Sequence, residues 1–407
     1  MKKLFAMVVT VAMIMCMTSG CYDEYKLKKF DIEVGDEITL GKYQNEEIEW
    51  DVLSRHFYPD EGKVTIELQS KYALDCQPFN EDGPSSWDES SLREWLNNDF
   101  FEEAFSSKEQ KHIVDTTYYN YVGDSRYLTD KVYIMGLLWY HMRADDAVCE
   151  PTDYAEDKGI DMEDGRCRVW GRDVLSAAMA NTSGESGTHE FAVAFTYDGN
   201  VGSAWDGKGK DDSFTAEDIG VRPVINVEYK APYTTRDLNP GDLVTFGTYD
   251  EAPIEWIVTD REKSEVTLFS RYGLDDMRMD KDSDTEFEDS ELYEWLNDDF
   301  VSDAFNKKEQ KQLVAFDSDD LVTFLSLDDI RDMAREAKPE LYATYSPAYF
   351  ESQEENDDNV FDSYWLSDFI PNSEDGKTHR FFQIKTLGGK CTADEEHSIR
   401  PVIKVAF

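Results

Sequence analysis

The stretch Asp280-Lys281-Asp282-Ser283-Asp284-Thr285-Glu286-Phe287-Glu288-Asp289-Ser290-Glu291 places acids at its first, third, fifth, ninth and twelfth positions. Hard oxygen ligands at that spacing can wrap a calcium ion, with Asp280, Asp282, Asp284 and Glu291 as ligands. Thr285 stands where the sharp turn of such a loop wants glycine, and an acid-rich chain also makes such runs as plain solvated loop. His189 and His379 each follow a threonine and precede an apolar run, so they read as ligand groups or as packed strand-start histidines. Trp170, Arg172, Trp205 and Trp365 are candidates to line a binding groove, since aromatic side chains suit sugars and peptides. Core packing is the competing reading for the tryptophans. Arg222 and Arg400 read as partners of a buried carboxylate within their domains. Cys149 and Cys167, 18 residues apart, are the plausible disulfide pair, and Cys76 and Cys391 fall in different halves. The sequence contains no P-loop, dinucleotide-binding glycine pattern, HExxH or GxSxG, and it yields no catalytic set.

These residues sit in a chain of 407 residues with 41 basic and 87 acidic side chains, a formal net charge of −46. Aromatic residues make up 13%, including 9 Trp, 22 Tyr and 23 Phe, so a core can be built and acidic disorder is excluded. The negative field repels phosphate backbones, which excludes nucleic acid as a partner. Cations and basic partners fit it.

Met1-Lys2-Lys3 is a basic start, and Leu4 to Met17 is almost wholly apolar, a length that reads as the core of an export signal rather than a membrane span. Thr18-Ser19-Gly20-Cys21 resembles a bacterial lipoprotein cleavage box, with Thr18 where leucine is commonest. That resemblance implies residues 1–20 as signal peptide, Cys21 as the lipidated residue, and a protein held outside the cytoplasm. Two or three acyl chains anchor stably where one is marginal. Residues 21–33 then form a tether.

What must position the candidate residues is a duplicated domain. Residues 35–52 and 241–258 are identical at nine of 18 positions, and residues 87–114 and 287–314 at 15 of 28. Both copies close alike, with Val221-Arg222-Pro223-Val224 and Ile399-Arg400-Pro401-Val402. The expected organisation is a first domain over 34–229, a linker over 230–239 and a second domain over 240–407. Alternation at Ile48, Trp50 and Val52, and again at Val64, Ile66 and Leu68, predicts half-buried strands. Leu92, Trp95 and Leu96, then Phe100, Ala104 and Phe105, predict one apolar helix face, with Ser90 as N-cap and Asn97 as a helix-ending residue. Ser106 and Glu109 form a capping box, which Asn306 and Glu309 repeat. Shorter strands are expected near 191–195 and 221–227, and near 381–384 and 399–405. Each copy reads as α+β.

Gly-x-Tyr, Ile-x-Trp, Leu-x-x-Trp-Leu-Asn-x-x-Phe and the closing Arg-Pro resemble a bacterial domain family of unknown function found in secreted and lipid-anchored proteins. Copy two adds Tyr364-Trp365-Leu366, where copy one has Val169-Trp170-Gly171. The order of strands and helices also resembles the C-type-lectin-like fold of formylglycine-generating enzymes. That resemblance implies two tandem α+β, C-type-lectin-like domains of short antiparallel strands with inserted helices. The enzymes' copper is held by two cysteines, and no comparable pair occurs here.

The expectation for function is a cell-surface, lipid-anchored binding protein whose ligand is a glycan, a peptide or an envelope protein, with copy one favoured as the binder. No cofactor is expected, calcium being the one candidate. An oxidase of the formylglycine-generating type and a calcium-dependent structural protein are the alternatives.

Overall fold

A computed structural model describes residues 32–83, 85–119, 127–136, 149–180, 186–195, 201–203, 215–230, 233–282, 285–316, 320–335, 363–369, 379–383 and 389–407. Residues up to Arg55 group with Thr65–Tyr229 as one compact unit, and His56–Val64 with Lys230–Phe407 as a second.

In the first unit, strand Glu37–Tyr43 pairs antiparallel with Glu46–Tyr58. Lys63–Ser70 and then Val224–Lys230 extend this sheet, and Ile113–Val114 and Val132–Tyr133 pair with the latter. The alternation read from the sequence is real at Ile48, Trp50 and Val52, which are buried with Glu49 and Asp51 half-buried between them. Val64, Ile66 and Leu68 are buried as well, but so are Thr65, Gln69 and Ser70, so that strand is covered on both faces. A second sheet of five strands holds Val169–Ala180 between Ser186–Phe195 and Gly220–Val221. It is mixed, since Val169 pairs parallel with Gly220.

The second unit repeats this order by itself. Leu243–Tyr249, Ala252–Glu262, Glu265–Ser270 and Val402–Val405 form its antiparallel sheet. Its five-stranded sheet centres on Ser363–Phe369, where Tyr364 pairs parallel with Ser398.

Between strands, each unit carries a short helical stretch at the same place in its order. In the first unit a 3-10 turn, Trp87–Glu89, precedes α-helix Ser91–Trp95. A π turn follows at Leu96–Phe100, then α-helix Phe101–Ala104. Leu92, Leu96, Phe100 and Ala104 are buried along one side, which is the four-residue repeat of an apolar helix face. The second unit repeats the π turn at Leu296–Phe300.

Two expectations are corrected. The α+β class with C-type-lectin-like domains does not hold: the described residues hold far more strand than helix, with mixed as well as antiparallel pairing, and the longest described single α-helical segment has nine residues, Leu327–Arg335. The apolar helical spacing spans only about 14 residues of each copy, while aromatic and β-branched residues fill strands elsewhere. Asn97 does not end the helix, which continues to Ala104 and stops where Phe105 turns extended at φ −121° and ψ 131°.

The helical stretch is seated by the start of each unit. Gly41 has φ +75°, and a Cβ there would lie 2.7 Å from the Ala104 carbonyl oxygen. Gly247 repeats this at φ +76°, 2.9 Å from the Ala304 oxygen. Glu109 accepts from Ser106 N at 2.7 Å and from Gly41 N at 3.2 Å, so the capping box also fixes the strand bend. Glu309 does the same with Asn306 N at 2.7 Å and Gly247 N at 3.3 Å.

Candidate functional site

Among the described residues of the first unit, a cleft of about 360 Å³ is lined by Asp88, Glu89, Ser90, Arg93, Glu94, Asn97 and Asp130. Local sequence explains how its wall is built. Ser90 caps the helix, its Oγ accepting from Arg93 N at 3.2 Å, and this sets the first turn so that Asp88, Glu89, Arg93 and Glu94 flank one opening. The π turn, a geometry often found at functional sites, carries Asn97. Its Nδ2 donates to the carbonyls of Arg93 at 3.0 Å and Val132 at 2.9 Å. Its Oδ1 accepts from Lys131 N at 2.9 Å and Val132 N at 3.1 Å. Asn97 thereby fastens the helix to the strand end that delivers Asp130.

Asp130 is buried and holds the floor of the cleft. Arg93 Nε donates to its Oδ1 at 3.0 Å and Oδ2 at 2.8 Å, and Arg93 Nη1 donates to the Asp88 carbonyl at 2.9 Å. Tyr118 Oη donates to Asp130 Oδ2 and accepts from Trp87 Nε1 at 2.7 Å. The Arg172 guanidinium lies 4.3 Å from the centre of the Tyr118 ring, a cation–π contact. Burial and the Asp130 charge together push the Tyr118 hydroxyl well above its ordinary pKa. Burial opposes the Arg93 charge, and the Asp130 carboxylate outweighs it, so the guanidinium is held above its ordinary value. Four carboxylates therefore line the cleft against one guanidinium. Among the described residues, Asp88 Oδ1 is buried without a hydrogen-bond partner, a costly state for an acceptor unless a donor arrives.

The second unit keeps the scaffold and changes the chemistry. Ser290 caps its helix, and Asn297 binds Leu321 N, Val322 N and the Val322 carbonyl. Tyr293 takes the place of Arg93, its hydroxyl donating to Asp320.

The profile of a domain of unknown function (DUF6273) matches residues 64–135. Every residue of the cleft falls inside that match. No curated protein and no solved structure matches the chain.

The residues singled out from sequence are placed differently. Trp170 and Trp365 are fully buried. Each ring donates to a carbonyl, of Gln77 at 2.8 Å and of Met277 at 2.7 Å. They are equivalent core residues and line no groove. Arg172 belongs to the Tyr118 network behind the cleft. His379 is buried, its Nε2 at 2.6 Å from the Thr285 carbonyl oxygen, and burial holds it below its ordinary pKa. His189 pairs with Ala177 in the backbone register. The His189 side chain, Trp205, Asp284 and Cys21 lie outside the described residues. Asp280 accepts from Asp282 N and Glu291 N, both at 2.9 Å. Burial opposes its charge, and these backbone donors hold its carboxyl below the ordinary range. Asn80 accepts from Ser91 N at 3.0 Å in the same place, so an uncharged amide does the same local work. Glu291 Oε1 is held by Lys281 at 2.6 Å. Among the described residues, no three metal-ligating side chains gather. Cys149 and Cys167 do come together, as thiols 3.6 Å apart.

Arg222 reaches Asp51 at 3.3 Å, but that carboxylate is one-third exposed rather than buried, and Arg222 Nε donates to the Ser70 carbonyl at 2.7 Å. Arg400 binds the equivalent Ser270 carbonyl at 2.8 Å and stacks 3.8 Å from the Phe269 ring centre. The shared role of the pair is to hold a strand-end carbonyl.

The cleft is not legible in the sequence, where Trp95–Asn97 have the pattern of core and cap residues. One signal was available. In the alignment of the two helical blocks, Arg93 corresponds to Tyr293 at a position whose neighbours are kept.

Proposed function

We propose that this chain is a lipid-anchored binding protein on the outer side of a bacterial membrane, and that the cleft of its first unit takes a basic peptide segment of another envelope protein. The carrying observation is the lining of the cleft: four carboxylates against one guanidinium that is already committed to Asp130. A lysine or arginine side chain supplies charge and donors together. The net charge of −46 favours encounter with basic partners. A neutral glycan is the weaker reading of the ligand, because Trp87, Trp170 and Trp365 are buried and offer no stacking platform.

Anchoring rests on Lys2-Lys3, the apolar run from Leu4 to Met17 and Cys21. No helix among the described residues is long and apolar enough to cross a membrane. Duplication supports a binding role, since two modules on one chain can raise avidity when both engage. A peptide and glycan array probed with the full chain tests the reading. Retention by lysine- and arginine-rich peptides, lost in high salt, supports it. Retention by neutral glycans alone would replace it.

A further inference from the structure

Among the described residues, the first unit contains three buried thiols, Cys76, Cys149 and Cys167, and they are not equivalent. Cys149 and Cys167 face each other across an isolated antiparallel bridge, with Cys167 N donating to the Cys149 carbonyl at 3.0 Å. Paired residues across such a bridge have Cα atoms about 4.5–5.5 Å apart, inside the range a disulfide spans without backbone movement. Their sulfurs are 3.6 Å apart, so side-chain rotation closes the distance to the roughly 2.05 Å of a bond. Cys76 is engaged elsewhere, its Sγ donating to the Ala155 carbonyl at 3.6 Å.

We propose that Cys149 and Cys167 form a structural disulfide, with Cys76 remaining a thiol. The bond closes the segment that carries helix Asp153–Lys158 and the hairpin strands Met162–Glu163 and Arg166–Cys167. That segment docks on residues 73–76: Thr152 N donates to the Ala73 carbonyl at 2.9 Å, and Lys158 reaches Asp75 at 2.7 Å. The staple therefore holds the helix onto the strand edge that continues into the five-stranded sheet.

The chemistry balances with an external disulfide as oxidant, either a thiol–disulfide oxidoreductase or a small dialkyl disulfide. The Cys149 thiolate attacks one sulfur of that disulfide and expels the other as a thiolate. Cys167 then gives up its proton and displaces the second thiol, forming the Cys149–Cys167 bond. Two electrons and two protons leave with the oxidant, which departs as two thiols. The Cys167 thiol hydrogen-bonds to the Cys149 sulfur and, with the Arg222 charge, holds Cys149 below its ordinary pKa against burial. Cys76 is pushed up to about 12 by burial and by Asp75, which makes it a poor competitor.

The full chain, prepared reduced, is equilibrated with mixtures of oxidised and reduced glutathione, alkylated, digested without reductant and mapped by mass spectrometry. The expected result is one dominant linked peptide joining Cys149 to Cys167, with Cys76 alkylated as a thiol. The link persists in Cys76→Ser and is lost in Cys167→Ser. Reduction should lower the thermal midpoint of the parent by a few degrees. It should leave the doubly substituted Cys149→Ala/Cys167→Ala chain unmoved, which reads the bond even where single variants fold poorly. Recovery of both cysteines as alkylated thiols across all mixtures, or pairing of either with Cys76, would overturn the proposal.

Discussion

Arg93 and Asp130, 37 residues apart, meet through one nitrogen shared between two oxygens, Nε lying 3.0 Å from Oδ1 and 2.8 Å from Oδ2. The guanidinium side chain is 23% exposed and the carboxylate 5%, so water screens the pair from one side only. Removing one partner leaves the other charge partly buried, which sets the cost of substitution.

Arg93→Ala should therefore destabilise the first unit by about 1.5–3 kcal/mol, the range of a hydrogen bond to a charged group. Arg93→Tyr should cost less, because Tyr293 already satisfies Asp320 with a hydroxyl in the second unit. Urea unfolding followed by tryptophan fluorescence checks the order. Equal losses for the two variants would mean that the phenol cannot reach Asp130.

Gly41 and Gly35 separate two causes of glycine preference. Both have positive φ, +75° and +90°, but a Cβ at Gly35 meets nothing within 4 Å while one at Gly41 strikes the Ala104 oxygen at 2.7 Å. Gly35→Ala should cost about 1 kcal/mol of backbone strain. Gly41→Ala should cost several times more, since the helical stretch must shift. Thermal midpoints of the two variants, measured side by side, decide it.

These contrasts mark what was legible in the sequence. Ile48, Trp50 and Val52 announced a half-buried strand because period-two burial is a local property. Glu109 and Glu309 announced a cap because both partners lie within three residues. Arg93 and Asp130 could not be joined in the same way: nothing local says that Asn97 will turn the strand after Asp130 toward the helix. The π turn left no trace either, because Leu92, Leu96, Phe100 and Ala104 keep ordinary helical spacing. The lectin-like expectation rested on the order of strands and helices along the chain, and that order does not say how strands pair: the parallel pairing of Val169 with Gly220 and of Tyr364 with Ser398 joins residues more than 30 apart.

His397 should make the second unit acid-sensitive. It is 9% exposed, stacks on Phe381 and lies 2.6 Å from Ser363 Oγ through Nδ1. Burial pulls its pKa from 6.5 down to about 4. Between those values the unfolded chain binds a proton that the folded chain refuses, so stability rises with pH across this window and falls on acidification. The contribution is at most roughly 3 kcal/mol at 1.36 kcal/mol per pH unit. His379, also held low by burial, acts in the same direction. Stability measured from pH 7 to pH 4 should fall less steeply in His397→Gln than in the parent. Identical slopes would remove His397 as a cause.

Cys21→Ala should abolish incorporation of a labelled fatty acid and release the chain from the membrane fraction of an expressing bacterium. Labelling that survives the substitution would place the anchor elsewhere.

The central claim is that basic peptides bind the acidic cleft of the first unit. Calorimetric titration of an arginine-rich peptide into the full chain tests it most directly, comparing the parent with Asp88→Asn/Glu94→Gln and with the matched Glu288→Gln/Glu294→Gln. Binding weakened at least tenfold by the first pair, unchanged by the second and reduced by salt is the predicted result. Equal losses for the two pairs, or parent-like affinity in Asp88→Asn/Glu94→Gln, would contradict it.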